Sequence, residues 1–386
     1  MYDLKISGGF VVDGTGAPGR IMDVGIVGDR IVAVGNLGEP AREEIDAAGR
    51  VVAPGFVDVH THYDGQATWD QEMAPSAWHG VTTVVMGNCG VGFAPAAPER
   101  QDWLIGLMEG VEDIPGSALA EGMTWDWESF PDYLNALEKL DRTIDVAAQV
   151  PHGAVRAYVM GDRGAANEAP TDSDIARMAS IVEEGLAAGA VGFSTSRTIL
   201  HKSVEGELVP GTTATKEELL GIGDALKRAG HGVFELASDL HPDWDEFGWM
   251  GDLSRDTGAA VAFTALESPI KGLSFAQQLA EMRVQNDAGA RIVAQISMRG
   301  TGLILGWRAT FHPFSRRPSW KAIADLPWDE QWRHLQDDDF RSRLLAERGE
   351  PTGSDLQLIA DLMESGFSMQ YAMTPGFNYE PTKEQS

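Results

Sequence analysis

Seven short apolar runs separated by helical stretches set the limits on what this chain can fold into. They are Phe56–His62, Val81–Met86, Ile144–Gln149, Ala190–Ser194, Val233–Ala237, Ala260–Ala265 and Arg291–Ser297. Strands that alternate with helices in this way build a parallel sheet from βαβ units. Each run is apolar on both faces, as a strand buried between helices and a barrel interior requires. The helical stretches carry their own punctuation. Asp172 to Ala188 opens with Thr171 or Ser173 as cap and ends at Gly189. Thr215 to Ala229 has Lys216, Glu217 and Glu218 early and Gly230 after its end, and Phe275–Ala288 is a third such stretch. The expected fold class is α/β, a (β/α)8 TIM-type barrel. Seven strands are one short of closure, so the expected barrel is incomplete. After Ser297 the text turns irregular, with polar helices from Trp328 to Arg348 and a further candidate helix over Asp355–Glu364. No eighth strand is legible before Ser386, and the expectation is a barrel lacking its C-terminal end.

Residues 1–53 read differently, as short β-strands only. Asp23–Val27, the turn Gly28-Asp29 and Arg30–Val34 form a hairpin signal. This stretch is too short to bury two faces alone, and it is expected to be the N-terminal part of a small β-sandwich, with the barrel over 54–386. A length of 386 residues fits one large α/β barrel or two to three ordinary domains, and 43% hydrophobic content with 11 Trp is enough for a sizeable core. No run approaches the ~18 apolar residues of a membrane span, and the first residues carry no secretory pattern, so a cytoplasmic protein is expected. The formal charge of −28 argues against nucleic acid and anionic membrane surfaces as partners. A single cysteine, Cys89, excludes an internal disulfide framework and a multi-cysteine zinc site.

In parallel barrels the functional groups sit at the carboxyl ends of the strands. The first strand ends in His60 and His62, two residues apart and therefore on one face of an extended chain. Two converging imidazoles suit a divalent metal such as zinc. The second strand runs into Gly87-Asn-Cys-Gly90, where the glycines let the backbone turn sharply and present a sulfur. A thiol there, beside two imidazoles, would bind a metal as thiolate. The third leads to His152 between Pro151 and Gly153, and the fourth to Arg197 with His201 close behind. The fifth offers Glu235 and Asp239, the sixth Glu267, and the seventh ends near Met298-Arg299. Arg197 is placed to hold a substrate carboxylate bidentately, and His152 and His201 are further candidates for substrate contact. Plainer readings stand beside each: solvated turn histidines, a small buried cysteine, and a structural ion pair for Arg197.

These residues resemble the metal-dependent amidohydrolase superfamily, and within it the D-aminoacylase (N-acyl-D-amino-acid deacylase) group. The resemblance rests on Pro54-Gly-Phe-Val-Asp-Val-His-Thr-His62, Gly80-Val-Thr-Thr-Val-Val-Met-Gly-Asn-Cys-Gly90 and Met123-Thr-Trp-Asp-Trp-Glu-Ser-Phe130. Val150-Pro-His-Gly-Ala-Val-Arg156 and Glu184–Ser196 extend it over essentially the whole chain. It implies hydrolysis of a linear, non-peptide carbon–nitrogen bond in a small-molecule amide, most simply an N-acyl-D-amino acid. It also implies one or two divalent ions, Zn2+ above all, with His60, His62 and Cys89 as metal positions. Where such enzymes carry a ligand histidine after strands five and six, this chain has Glu235, Asp239 and Glu267, which are the substitutes to look for. The resemblance puts the catalytic Asp at the end of strand eight, beyond this C-terminus, so no catalytic residue is assigned. No strand-four lysine is placed to bridge two metals, since Lys202 lies past the strand; that favours the Cys-containing type. A cyclic-amide hydrolase of the hydantoinase or dihydroorotase kind and a non-catalytic truncated relic are the alternatives, and self-association into a homo-oligomer is left open.

Overall fold

The computed structural model describes residues 1–241, 244–266, 272–297, 305–308, 312–351, 361, 364, 370–373, 376, 382 and 384. Glu267, Met298-Arg299 and nearly all of the expected Asp355–Glu364 helix lie outside them. The chain divides into two compact units. The first holds residues 1–61, 70–85 and 140–147; the second holds 62–69, 86–139 and 148–386.

The first unit begins with a five-stranded sheet. Its strands are β1 (Tyr2–Val11), β2 (Arg20–Val27), β3 (Arg30–Gly35), β4 (Ala41–Asp46) and β5 (Val51–Val52). The order is β3-β2-β1-β4, with β5 also on β1. The hairpin expected across Gly28-Asp29 forms between β2 and β3, antiparallel, with Val27 opposite Arg30. Gly28 takes φ +59° there, the left-handed conformation that such tight turns need. The register of β1 against β2 shifts between Ile6 and Gly9, at a bulge where Gly8 has φ +67°.

Seven further strands form one sheet in sequence order: β6 (Phe56–Asp58), β7 (Val81–Met86), β8 (Asp145–Pro151), β9 (Gly192–Arg197), β10 (Val233–Ser238), β11 (Ala260–Thr264) and β12 (Ile292–Gln295). Neighbours β6–β7, β8–β9, β9–β10, β10–β11 and β11–β12 run parallel. Sequential parallel strands joined by helices are the wall of a (β/α) barrel, as the alternation of strands and helices predicts. Several strand ends differ from expectation: the third runs on to Pro151 and the seventh stops at Gln295, and two more differ by several residues with visible causes. The first strand stops at Asp58 instead of reaching His62, because the Asp58 carboxylate accepts the His60 N–H (3.2 Å). The fourth runs on to Arg197 because Ser196 and Arg197 pair with Ala237 and Ser238.

Within the second unit, Val150, Phe193, Phe234 and Val261 sit side by side across β8 to β11, and all are fully buried. The Phe193 and Phe234 rings stand 5.1 Å apart, and Trp249 packs on Phe234 from the helix Glu246–Thr257. Helix Asp172–Ala188 starts at a reciprocal cap between Thr171 and Asp174 and ends on Gly189 at φ +119°. Helix Lys216–Ala229 starts one residue later than expected, with the Thr215 hydroxyl accepting the Glu218 N–H. Helices Trp328–Gln336 and Asp338–Ala346 enclose a small cluster of Trp320, Ile323, Leu335, Phe340 and Leu344. No described helix is long and apolar enough to cross a membrane.

Candidate metal centre

The turn after β7 is the most constrained piece of backbone near the candidate ligands. Gly87, Cys89 and Gly90 all take positive φ, at +77°, +55° and +69°. For Cys89 that conformation is uncommon and must be held by its surroundings. A Cβ at Gly87 would stand 2.2 Å from the Gln149 carbonyl oxygen, so the turn lies directly on β8. Hydrogen bonds to neighbouring segments hold it, among them one from the Ser194 hydroxyl to the Gly87 carbonyl. The Cys89 N–H donates to Glu235 Oε2 (3.0 Å) and the Gly90 N–H to Ser194 Oγ (3.0 Å). Gln149 Nε2 donates to Asn88 Oδ1 (2.7 Å), and the Gly153 N–H donates to the Gly90 carbonyl (2.8 Å). The local sequence supplies the glycines, while neighbouring segments supply the partners: acceptors on Glu235 and Ser194, donors on Gln149 and Gly153. The result is a Cys89 side chain fixed in place and nearly buried, with 5% exposure.

Around Cys89 the chain gathers acids and imidazoles from distant segments. The ligand atoms of Cys89, Glu112 and His201 lie within 4.8 Å of one another, as do those of His62 and Cys89. His62 Nε2 is 3.3 Å from Glu112 Oε1. Glu112 is the last residue of the helix Gln101–Glu112, which a left-handed Asp113 terminates. His201 follows β9, and its Nδ1 lies 3.0 Å from Ser196 Oγ. Burial pushes the Cys89 thiol well above its ordinary value, and the charges of Glu235, Glu112 and Asp64 push the same way. Burial likewise lifts Asp64 to about 8, Glu235 to about 8 and Glu112 to about 7. Asp64 is 2% exposed, and its Oδ2 has no hydrogen-bond partner among the described residues. Buried acids crowded round a thiol make a site whose ionised form a cation would stabilise.

The remaining sequence candidates divide. His60 belongs to the first unit, two residues before His62 along the chain, with its N–H on Asp58. The substrate contact expected of His152 does not survive its burial. It is fully enclosed at the start of the helix His152–Met160, with Nδ1 2.8 Å from Thr195 Oγ1 and Nε2 3.1 Å from Glu218 Oε1. Burial lowers its pKa, although Glu218 opposes the shift. Arg197 makes the structural ion pair: Nε donates to Glu246 Oε1 (2.6 Å) and an Nη donates to the Ala214 carbonyl (2.6 Å). Its guanidinium also lies 5.8 Å from the Trp244 and Trp249 ring centres. Asp239 holds the neighbouring turn, one oxygen accepting from the Thr198 hydroxyl and the other from the Ile199 N–H. Glu235 reaches the site, but through the Cys89 backbone. Two acids went unassigned by sequence reasoning. Asp64 continues the alternation of His60 and His62 by two more residues, a signal that was present; Glu112 has no local signal.

Residues 43–355 match the family described as Amidohydrolase family. The D-aminoacylase of Alcaligenes xylosoxydans xylosoxydans is 38% identical over 230 residues, covering 59% of this chain and 43% of its own length. The N-acyl-D-glutamate deacylase of the same organism is 38% identical over 233 residues, covering 59% and 42% respectively. This chain thus spans less than half the length of these relatives. A solved D-aminoacylase, described with a binuclear metal centre, superposes with a TM-score of 0.63 at 32% identity over 77% of this chain and 58% of that one. The Bordetella bronchiseptica N-acyl-D-glutamate deacylase, complexed with zinc and a phosphonate inhibitor that mimics the tetrahedral intermediate, gives 0.59 at 30% identity over 76% and 58%. With the family pattern matched over 43–355 and seven parallel strands in sequence order, the chain belongs to the amidohydrolase family.

Proposed function

We propose that this protein hydrolyses linear amides with a bound divalent metal, and that its substrates are N-acyl-D-amino acids. The observation that carries the proposal is the immobilised Cys89 with imidazole and carboxyl donors around it. Sulfur, nitrogen and oxygen donors converging from separate segments fit zinc. We assign His60, His62 and Cys89 to the metal, His60 by its place two residues before His62. When bound, the metal lowers the pKa of a water and polarises the amide carbonyl.

The chain's own groups prepare that site. Glu235 takes the Cys89 N–H and so fixes the turn that carries the thiol. Ser196 holds the His201 ring by its Nδ1. Glu246 and the Trp244 and Trp249 rings fix Arg197, and a substrate carboxylate would have to compete with Glu246 for it. The residue boundary at 53/54 between a β segment and the barrel belongs to this proposal, as does cytoplasmic residence. A thiol kept as a metal ligand suits a reducing compartment.

Release of free amine from paired N-acetyl-D- and N-acetyl-L-amino acids tests the reading, with a hydantoin as a third substrate. The expected outcome is cleavage of the D-enantiomers alone. Opening of the hydantoin would favour the cyclic-amide alternative, and no turnover of any of the three by metal-loaded protein would favour a non-catalytic one.

A further inference from the structure

We infer that Glu112 and His201 hold a second ion in a three-donor site of its own, sharing the Cys89 sulfur with the ion assigned to His60 and His62. The inference rests on the metal-dependent reading above and supplies donors from outside strands five and six. Zinc holds thiolate sulfur at about 2.3 Å, imidazole nitrogen at about 2.0–2.1 Å and carboxylate oxygen at about 2.0–2.2 Å. Two ligands of one ion are therefore separated by at most about 4.4 Å, and in a tetrahedral site by about 3.3–3.8 Å. The Cys89, Glu112 and His201 donor atoms already lie within 4.8 Å of one another, so side-chain shifts of a fraction of an ångström would bring them onto one ion.

Three further observations point the same way. Ser196 Oγ lies 3.0 Å from His201 Nδ1, the kind of outer contact that orients an imidazole whose other nitrogen takes a metal. His62 Nε2, 3.3 Å from Glu112 Oε1, ties this group to the His-x-His stretch. The Asp64 carboxyl, 2% exposed and with Oδ2 unpartnered among the described residues, feels the charge of Glu112 and acts on Cys89 electrostatically. A site of three protein donors leaves a fourth position for water or substrate, the arrangement of catalytic zinc.

Cobalt substitution reads this directly, because a cobalt–thiolate bond gives a near-ultraviolet charge-transfer band and the visible bands report the coordination number. Zinc affinity is measured alongside by competition with a chromogenic chelator. Wild type should show the thiolate band. Glu112→Gln and His201→Asn should each weaken zinc binding at least tenfold and alter the visible bands, with the thiolate band retained. Asp113→Asn removes the same charge from the next residue and should leave affinity unchanged. Circular dichroism of the metal-free variants checks that each is folded, and His201, on a loop, covers the case in which the Glu112 variant is not. Unchanged affinity and visible bands in both ligand variants would overturn the inference while leaving the metal-dependent reading intact. Equal weakening by Asp113→Asn would reduce Glu112 to a source of field and overturn it too. A wild type that takes up no metal would overturn both.

Discussion

At the scale of single residues, the site is a contest between burial and charge. Asp64 and Glu235 have folded pKa values of about 8, against ordinary values of 3.8 and 4.5, with burial as the first cause. A raised carboxyl stabilises the fold fully only below its unfolded pKa, and that contribution is lost as pH rises toward the folded value. Each withdraws up to about 1.4 kcal/mol per pH unit across that interval. For chelator-treated protein, the melting temperature of wild type relative to Asp64→Asn should therefore fall between pH 5 and pH 8. A difference that grows in favour of wild type with pH would refute the assignment. Cys89→Ser should behave otherwise, since the turn is anchored by its backbone N–H on Glu235. Metal-free stability should change by no more than about 1 kcal/mol, while zinc affinity drops more than a hundredfold in the chelator competition. His60, His62 and Cys89, the residues we propose for the metal, were legible in the sequence because each follows an apolar run beside telltale neighbours. Glu112 was not, since it reaches the site only after the Gln101–Glu112 helix has packed. His152 misled for a related reason: its Pro-His-Gly setting looks like an exposed turn, but Thr195 and Glu218 close over it.

At the scale of elements, the connection from β7 to the Cys89 turn is the sensitive joint. Gly87 combines φ +77° with a backbone oxygen 2.2 Å from where a Cβ would stand. Gly87→Ala should cost several kcal/mol and lose metal binding together with stability, read in one thermal melt with and without zinc. Thr171→Ala is the contrasting case, removing one hydroxyl from a reciprocal helix cap. It should lower stability by about 1 kcal/mol in denaturant unfolding and leave zinc affinity unchanged. Caps such as Thr171 and Thr215 are written locally, which is why the helix starts were legible to within a residue. Strand ends were less so. Asp58 diverts a backbone N–H at the end of β6, and cross-strand partners prolong β9, and neither is encoded in the periodicity of the strand itself.

For the whole molecule, the alternation of strands and helices was enough to give a seven-stranded parallel sheet in sequence order. The N-terminal stretch was legible as strands, but not its mixed pairing, with β4 and β5 parallel to β1 and β2 antiparallel to it. Turn chemistry predicts hairpins; it carries no information on strands paired across longer connections. The charge of −28 belongs to this scale as well. Self-repulsion should make the fold more stable as salt is raised from near zero to about 0.1 M, where the screening length falls to ~10 Å, and a melting temperature that falls would contradict this. The central claim is that amide hydrolysis here depends on a metal held around Cys89. Its most direct test follows hydrolysis of an N-acetyl-D-amino acid by protein stripped with chelator and then reloaded with zinc, for wild type and Cys89→Ser. The account predicts activity that disappears on stripping, returns on reloading in wild type and never returns in the variant. Hydrolysis that is indifferent to the chelator, or equal in Cys89→Ser, would contradict it.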